Sequence, residues 1–219
     1  MPSASRPNFK RSTTMNIAVL GPPGCGKGTQ SKLLAAHFGL KHFSLGEMLR
    51  MEVGKGTELG KKTEVYLKAG KLVPEPIVLD LFASYVSRSG DQGHILDGYP
   101  RTLVQAEALD SLLSLSAVVL FEITEEDVLS RVAGRVVDAE GRTYNLNSNR
   151  PPAGVQTKRR DDDRPEVVRG RFRGYLLEIE PILGYYRRKD MLVTVNASGS
   201  IGSVLDQLLA DLGRTAEAV

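Results

Sequence analysis

The chain has 219 residues, 41% of them hydrophobic, which suits one main globular domain with small insertions. No apolar run approaches the ~20 residues that span a bilayer, so the sequence predicts a soluble protein without membrane contact. Charge is balanced, 29 basic against 26 acidic residues for a net +3, and does not point to nucleic acid; the lone cysteine, Cys25, excludes an internal disulfide and suits a reducing compartment.

Residues 1–14 carry Arg6, Lys10 and Arg11, no acid, and several Ser, Thr and Pro. They read as a disordered tail, with an organelle-targeting peptide as the alternative. Apolar runs then alternate with helical patterns, the mark of a parallel α/β sheet. Strands are expected at 16–20, 42–44, 94–96, 117–123 and 192–195. Helices are expected at 26–38, 47–53, 59–69, 75–87, 103–112, 125–135, 166–188 and 201–212. Pro74 and Pro76 mark one helix start, and Thr124 can cap another. Two segments break the alternation. One is a helical insert, 44–73. The other, 134–163, is polar and turn-rich, with 138–144 reading as a turn between short strands; a stretch of this kind in a compact domain is usually a lid. The core domain is then 15–43, 74–133 and 164–219.

The segment Gly21-Pro-Pro-Gly-Cys-Gly-Lys-Gly-Thr29 lies between the first strand and the first helix. Strand, glycine turn and helix start make a phosphate cradle, in which successive backbone N–H groups and the helix dipole face an anion. Gly24, Gly26 and Gly28 allow the backbone close approach, Cys25 is a small filler, and Lys27 brings a point charge to the terminal phosphates. The hydroxyl that normally follows the lysine is displaced by one, to Thr29. A second segment, Asp97-Gly-Tyr-Pro-Arg-Thr102, follows an apolar strand. Asp97 at a strand end can hold a magnesium-bound water, Gly98 admits a ligand, and Arg101 is placed to fork onto a phosphate. A third signal is a set of arginines around the lid: Arg131, Arg135, Arg142, Arg160 and Arg171. Phosphoryl transfer runs on positioning and charge stabilisation, and convergent arginines supply both. Asp162 and Asp163 are expected to pair with arginines rather than bind metal. Arg159, Arg164, Arg169, Arg173, Arg187 and Arg188 read as surface charges, and His37, His42 and His94 as structural or exposed.

With Gly-Lys-Gly-Thr, Asp-Gly-Tyr-Pro-Arg and a lid in order, the chain resembles the nucleoside monophosphate kinases, and adenylate kinases in particular, over about residues 15–215. The resemblance implies a P-loop three-layer α/β/α core with a five-stranded parallel sheet ordered 2-3-1-4-5, a monophosphate-binding flap and a short lid. It implies reversible transfer of a phosphoryl group from Mg-ATP to AMP, giving two ADP. ATP would be bound by Gly24–Thr29, Arg131, Arg135, Thr143, Tyr144 and Gly199. AMP would be bound by Leu45, Arg50, Lys71, Leu72, Val73, Gly98, Tyr99, Pro100, Arg101, Gln105, Arg160 and Arg171. Lys27, Arg101, Arg135, Arg160 and Arg171 would carry catalysis. Mg2+ would come with ATP, held by phosphates and waters with Asp97 acting through water, and with Thr29 and Glu47 nearby. The family's zinc lid needs four cysteines, so no zinc is expected. A cytoplasmic monomer follows from the same likeness, with mitochondrial or other organelle location as the alternative.

Three positions depart from the family pattern. Tyr99 replaces a usual Phe, Leu45 a usual Thr and Glu47 a usual Asp. Leu45 offers no hydroxyl to base or ribose and keeps open a UMP or CMP kinase. Thr102 and Gln105 resemble adenylate kinases and their GTP-using relatives, and Gln105 matches the glutamine that reads the adenine edge. A more distant alternative is an ATP-dependent switch or assembly factor, which needs no acceptor clamp.

Overall fold

The computed structural model describes residues 15–90, 92–139 and 141–216. The tail and the targeting alternative expected at 1–14 lie outside them. A five-stranded sheet organises the molecule. Its strands are β1 (Asn16–Leu20), β2 (Lys41–Ser44), β3 (His94–Asp97), β4 (Ala117–Glu122) and β7 (Leu192–Asn196). They run in the order β2-β3-β1-β4-β7, all neighbours parallel. This is the expected 2-3-1-4-5 order, with the fifth sheet strand numbered seven because a separate hairpin, β5 (Arg135–Val137) and β6 (Thr143–Asn145), precedes it.

The central strands β1 and β4 are continuous apolar runs because both sheet faces are covered there, while the edge strands β2 and β7 are more polar. Side chains alternate across the sheet. Ala18, Leu20, Val118 and Leu120 face one layer, packed by Val78 and Phe82 of α4 (Glu75–Ser89), Leu109 of α5 (Leu103–Leu112) and Ile182 and Tyr186 of α7 (Pro165–Arg187). Ile17, Val19, Ala117 and Phe121 face the other, packed by Leu34 of α1 (Lys27–Phe38) and Val204 and Leu208 of α8 (Ile201–Ala216). Each such buried side chain contributes on the order of 1.5–3 kcal/mol. The central strand β1 is buried throughout, so the loop that follows it starts from a fixed base.

The insert holds α2 (Leu45–Gly54) and α3 (Glu58–Ala69). The first begins two residues before the expected 47. Ser44 stands at the N-cap position but makes no cap; its hydroxyl donates to Asp97 Oδ2 at 3.2 Å instead. Thr57 caps α3, accepting from Gly60 N at 3.0 Å. The helix expected at 125–135 is shorter, with α6 ending at Ala133. The β5–β6 hairpin closes on Gly134: Leu146 N donates to its carbonyl at 2.8 Å, and a Cβ there would meet Asn145 Oδ1 at 2.9 Å. Arg135 therefore opens a strand rather than closing a helix.

Candidate functional site

The phosphate loop joins β1 to α1 at the carboxyl edge of the sheet. Gly24 has φ +87°, and a Cβ there would lie 2.5 Å from Val132 Cγ2 of α6. A side chain at this place is thus barred by strain and by contact. Gly26 holds the N-cap position of α1 at φ +103°, with no side-chain cap, so the first-turn amides remain for an anion. Lys27 lies back along the loop, its Nζ donating to the carbonyls of Gly21 (2.8 Å) and Pro22 (2.7 Å). Cys25 is buried behind the loop, in accord with its reading as a filler.

A cavity of about 910 Å³ opens over this loop. Residues Gly24 to Thr29 line it, as do Arg131, Arg135, Thr143, Tyr144 and Gly199. Arg131 draws two loops together: it donates to Cys25 O at 2.8 Å and to Gly199 O at 3.0 Å. Arg50, Lys71, Leu72, Gly98, Pro100, Arg101, Arg160 and Arg171 line the same cavity. A smaller one of about 40 Å³ adjoins it, where Leu45, Val73 and Gln105 join Arg50, Arg101 and Arg171. The residues assigned to donor and acceptor thus fall on one continuous site. Tyr99 is the exception. It lines neither cavity; its ring is fully buried and stacks on Phe82, centroids 4.2 Å apart. Its side chain belongs to the core, where Phe43 and Phe82 receive its ring just beyond the end of β3.

The site is a concentration of withdrawn guanidinium groups. Gly98, at φ +76°, lets Arg101 fold back so that Nε donates to Gly98 O at 2.8 Å. Burial pushes the Arg101, Arg50 and Arg171 guanidinium groups down from their ordinary values, and in Arg50 the charge of Arg160 adds to this. Arg50 Nε is buried with no hydrogen-bond partner among the described residues. Such a cluster gains stability from an added anion. Two carboxylates partly compensate it. Asp162 accepts from Arg160 at 2.7 Å and also from Arg171, while Asp163 pairs with Arg135 in a bidentate fashion, Nε at 2.8 Å. The sequence expectation that these aspartates anchor arginines holds, and their partners are the arginines of the site itself. Burial pushes the Asp162 carboxyl up, but Arg160, Arg171 and Arg135 outweigh it and hold it well below the usual range. Arg142 does not join the cluster. It turns away to Asp138 within the hairpin turn, at 2.6 Å, with its side chain 59% exposed. Arg169, Arg164 and Arg187 form surface pairs with Glu125, Glu166 and Glu180, as expected of surface charges.

Asp97 lines the cavity at the end of β3, close against α1, where a Cβ at Gly28 would lie 3.2 Å from its Oδ2. No group of three or more His, Cys, Asp or Glu suited to a metal occurs among the described residues. One carboxylate beside the phosphate loop fits a cation carried mainly by phosphates and water. Sequence reasoning missed two neighbours. His42 Nε2 lies 3.9 Å from Asp97 Oδ2, and burial pushes its imidazole down despite the nearby carboxylates. Lys32 reaches Glu47 at 2.7 Å and ties α1 to α2. The four-residue spacing of Gly28 and Lys32 on α1 was the available signal, since it puts both on one helix face.

Comparison with known proteins agrees with this geometry. A family model described as adenylate kinase matches residues 19–191. An adenylate kinase of Methanothrix thermoacetophila is 37% identical over 207 residues, covering 89% of this chain and 96% of that protein. One of Archaeoglobus fulgidus is 40% identical over 212 residues, covering 90% and 98%. One of Streptomyces griseus is 37% identical over 205 residues, covering 87% and 94%.

Proposed function

The chain belongs to the adenylate kinase family and is a nucleoside monophosphate kinase, and from that premise we propose how its own residues divide the transfer between ATP and AMP. The observation that carries the proposal is the continuity of the two cavities, which puts the phosphate loop and the Arg50–Arg101–Gln105 corner on one site.

ATP lies along the loop. The amides of Gly26 to Thr29 and Lys27 Nζ hold its β- and γ-phosphates, with Lys27 leaving the Gly21 and Pro22 carbonyls to do so. Its base lies between Arg131 and the Gly199 segment, with Thr143 and Tyr144 of the hairpin above. AMP lies in the part of the larger cavity that adjoins the smaller one. Arg50 and Arg101 clamp its phosphate, and Lys71, Leu72, Val73, Leu45 and Gln105 enclose its base and ribose. A phosphate oxygen of AMP attacks the γ-phosphorus in line. The bond from that phosphorus to the β–γ bridging oxygen breaks, and two ADP result. The attacking oxygen is already ionised near neutral pH, so the step needs no general base, and none of the site's side chains is asked to be one. Arg135, Arg160 and Arg171 stabilise charge on the moving group. Asp162 and Asp163 hold these three in place until phosphate oxygens share them. Mg2+ carried by ATP supplies charge neutralisation of the phosphates, and Asp97 would hold it through water, with Thr29 and Glu47 nearby.

The helical insert 44–73 and the segment 134–163 act as closing flaps that exclude water, the competing nucleophile. We place the protein in the cytoplasm as a monomer, acting without nucleic acid or membrane, with an organelle as the alternative. The balanced charge supports this, and no helix among the described residues is long and apolar enough to cross a membrane. The test is a coupled assay of diphosphate formation with Mg-ATP and each of AMP, CMP, UMP, dAMP and GMP. AMP is expected to lead. A lead by CMP or UMP would make Leu45 and Glu47 the marks of a pyrimidine site. Hydrolysis without acceptor dependence would sink the acceptor assignment.

A further inference from the structure

We propose that Gln30 is a positioning residue for the donor nucleotide. It holds the loop beside the donor base, Ala197 to Ile201, in a fixed place relative to the phosphate loop, and so serves the binding of the base rather than of the phosphates. The proposal rests on the reading of the cavity over α1 as the donor site.

Gln30 belongs to the first turn of α1, the turn whose amides are assigned to phosphates; its N–H donates to Gly26 O at 3.1 Å. Its side chain is 3% exposed and reaches a distant element, Nε2 donating to Ile201 O at 2.8 Å. A carbonyl oxygen can only accept, so this partner fixes the orientation of the amide. The other end, Oε1, is buried without a hydrogen-bond partner among the described residues. The donor end is thus the working end of this side chain. Ile201 opens α8, and both Gln30 and Ile201 line the cavity.

The run before Ile201, Ser198 to Ser200, is exposed and made of small residues. It has little side-chain packing to order it, so its order falls to hydrogen bonds. Some of these come from α6: Arg131 donates to Ala197 O and to Gly199 O, and Ser198 Oγ donates to Asp127 Oδ2 at 2.9 Å. Arg131 lies on the cavity, where a donor base competes for its guanidinium. The bond from Gln30 comes from α1 instead, and it is buried. It holds the far end of the run when Arg131 turns to the base. A base that meets an ordered loop does not have to order it, and affinity gains by that saving.

The test measures two inhibition constants against Mg-ATP with AMP saturating. One inhibitor is a non-hydrolysable ATP analogue, which carries the base; the other is tripolyphosphate, which does not. Gln30→Met keeps the length of the side chain and removes its donor. The constant for the analogue is expected to rise about fivefold, while that for tripolyphosphate stays within about twofold. An equal rise in both would show damage to α1 itself and overturn the proposal, as would no change in either. Gln30→Leu, a second side chain without a donor, is expected to give the same split, and decides alone should Gln30→Met fail to fold in a thermal melt. Failure of both variants to fold would make Gln30 a residue of the core and also overturn the proposal. An analogue that inhibits the unaltered protein no better than tripolyphosphate would overturn the donor-site reading itself, a result distinct from any difference between the proteins.

Discussion

Arg101 performs two tasks. Its backbone N–H donates to Gln105 and its Nε to Gly98, and the residue lines the cavity. Arg101→Ala is therefore expected to raise KM for AMP by about 10²-fold or more with little change in KM for ATP, measured by steady-state kinetics with each substrate varied. Equal loss for both substrates would refute its placement at the acceptor. Asp162 makes a different prediction. Its carboxyl is held below its unfolded value of about 3.9 by Arg160, Arg171 and Arg135 against the opposing effect of burial. A depressed carboxylate contributes stability that is complete above the unfolded value and is lost as pH falls towards the folded one. The unaltered protein should lose melting temperature between about pH 5 and pH 3. Asp162→Asn should melt lower at pH 7, because two guanidinium groups lose their partner, and should show a flatter curve over that acid window. A parallel decline in both proteins would show that other carboxylates govern the acid response.

At the scale of elements, the acceptor insert depends on how closely two short helices approach. A Cβ at Gly60 of α3 would lie 2.2 Å from the Glu52 carbonyl oxygen and 2.4 Å from its carbon, so backbone meets backbone there. Thr57 reinforces the corner by capping α3 and donating to Glu52 Oε2 at 2.7 Å. Gly60→Ala must push α2 away from α3, carrying Arg50 with it. The expected cost is about 1–3 kcal/mol in thermal or urea unfolding. KM for AMP should rise several-fold more than KM for ATP. An unchanged ratio of the two would mean that the insert does not position the acceptor.

Across the whole molecule, the insert 44–73 and the segment 134–163 both touch α7. A Cβ on Gly70, at the end of α3, would lie 2.8 Å from Val167 and 2.9 Å from Arg171. Arg171 in turn shares Asp162 with Arg160 beside the lid segment. On the proposed assignment, filling the acceptor site is expected to alter the charge balance at Asp162 that holds the lid. Amides of the β5–β6 hairpin should exchange with deuterium at least about tenfold more slowly with ADP in both sites than with a non-hydrolysable ATP analogue alone. Equal protection in the two cases would show that the lid responds to the donor by itself. The cavity gathers six arginines, Arg131 bonded to backbone carbonyls and beside it Arg50, Arg101, Arg135, Arg160 and Arg171, so closure and charge neutralisation are expected to be one event.

What was legible in the sequence was local. Continuous apolar runs marked the central strands β1 and β4 most clearly, since burial on both faces leaves little freedom of composition there. The phosphate loop announced itself because its function requires glycine, lysine and a helix start at fixed spacing. The turn between short strands at 138–144 was visible for the same reason. Tertiary structure decided what depends on residues distant in the chain. Helix α6 stops at Ala133 because the hairpin that follows folds Asn145 and Leu146 back over Gly134. Arg142 leaves the arginine cluster because Asp138 lies across its own turn, and Tyr99 leaves the site because Phe82 receives its ring. Lys32 reaches the site along the face of α1 that also carries Gly28, while His42 of β2 lies beside Asp97 with no pattern in its own segment to mark it. A sequence states which groups are present and how each segment is inclined to fold. Which charges share a carboxylate, and which acceptors are already taken, is settled only when long-range packing brings the segments together.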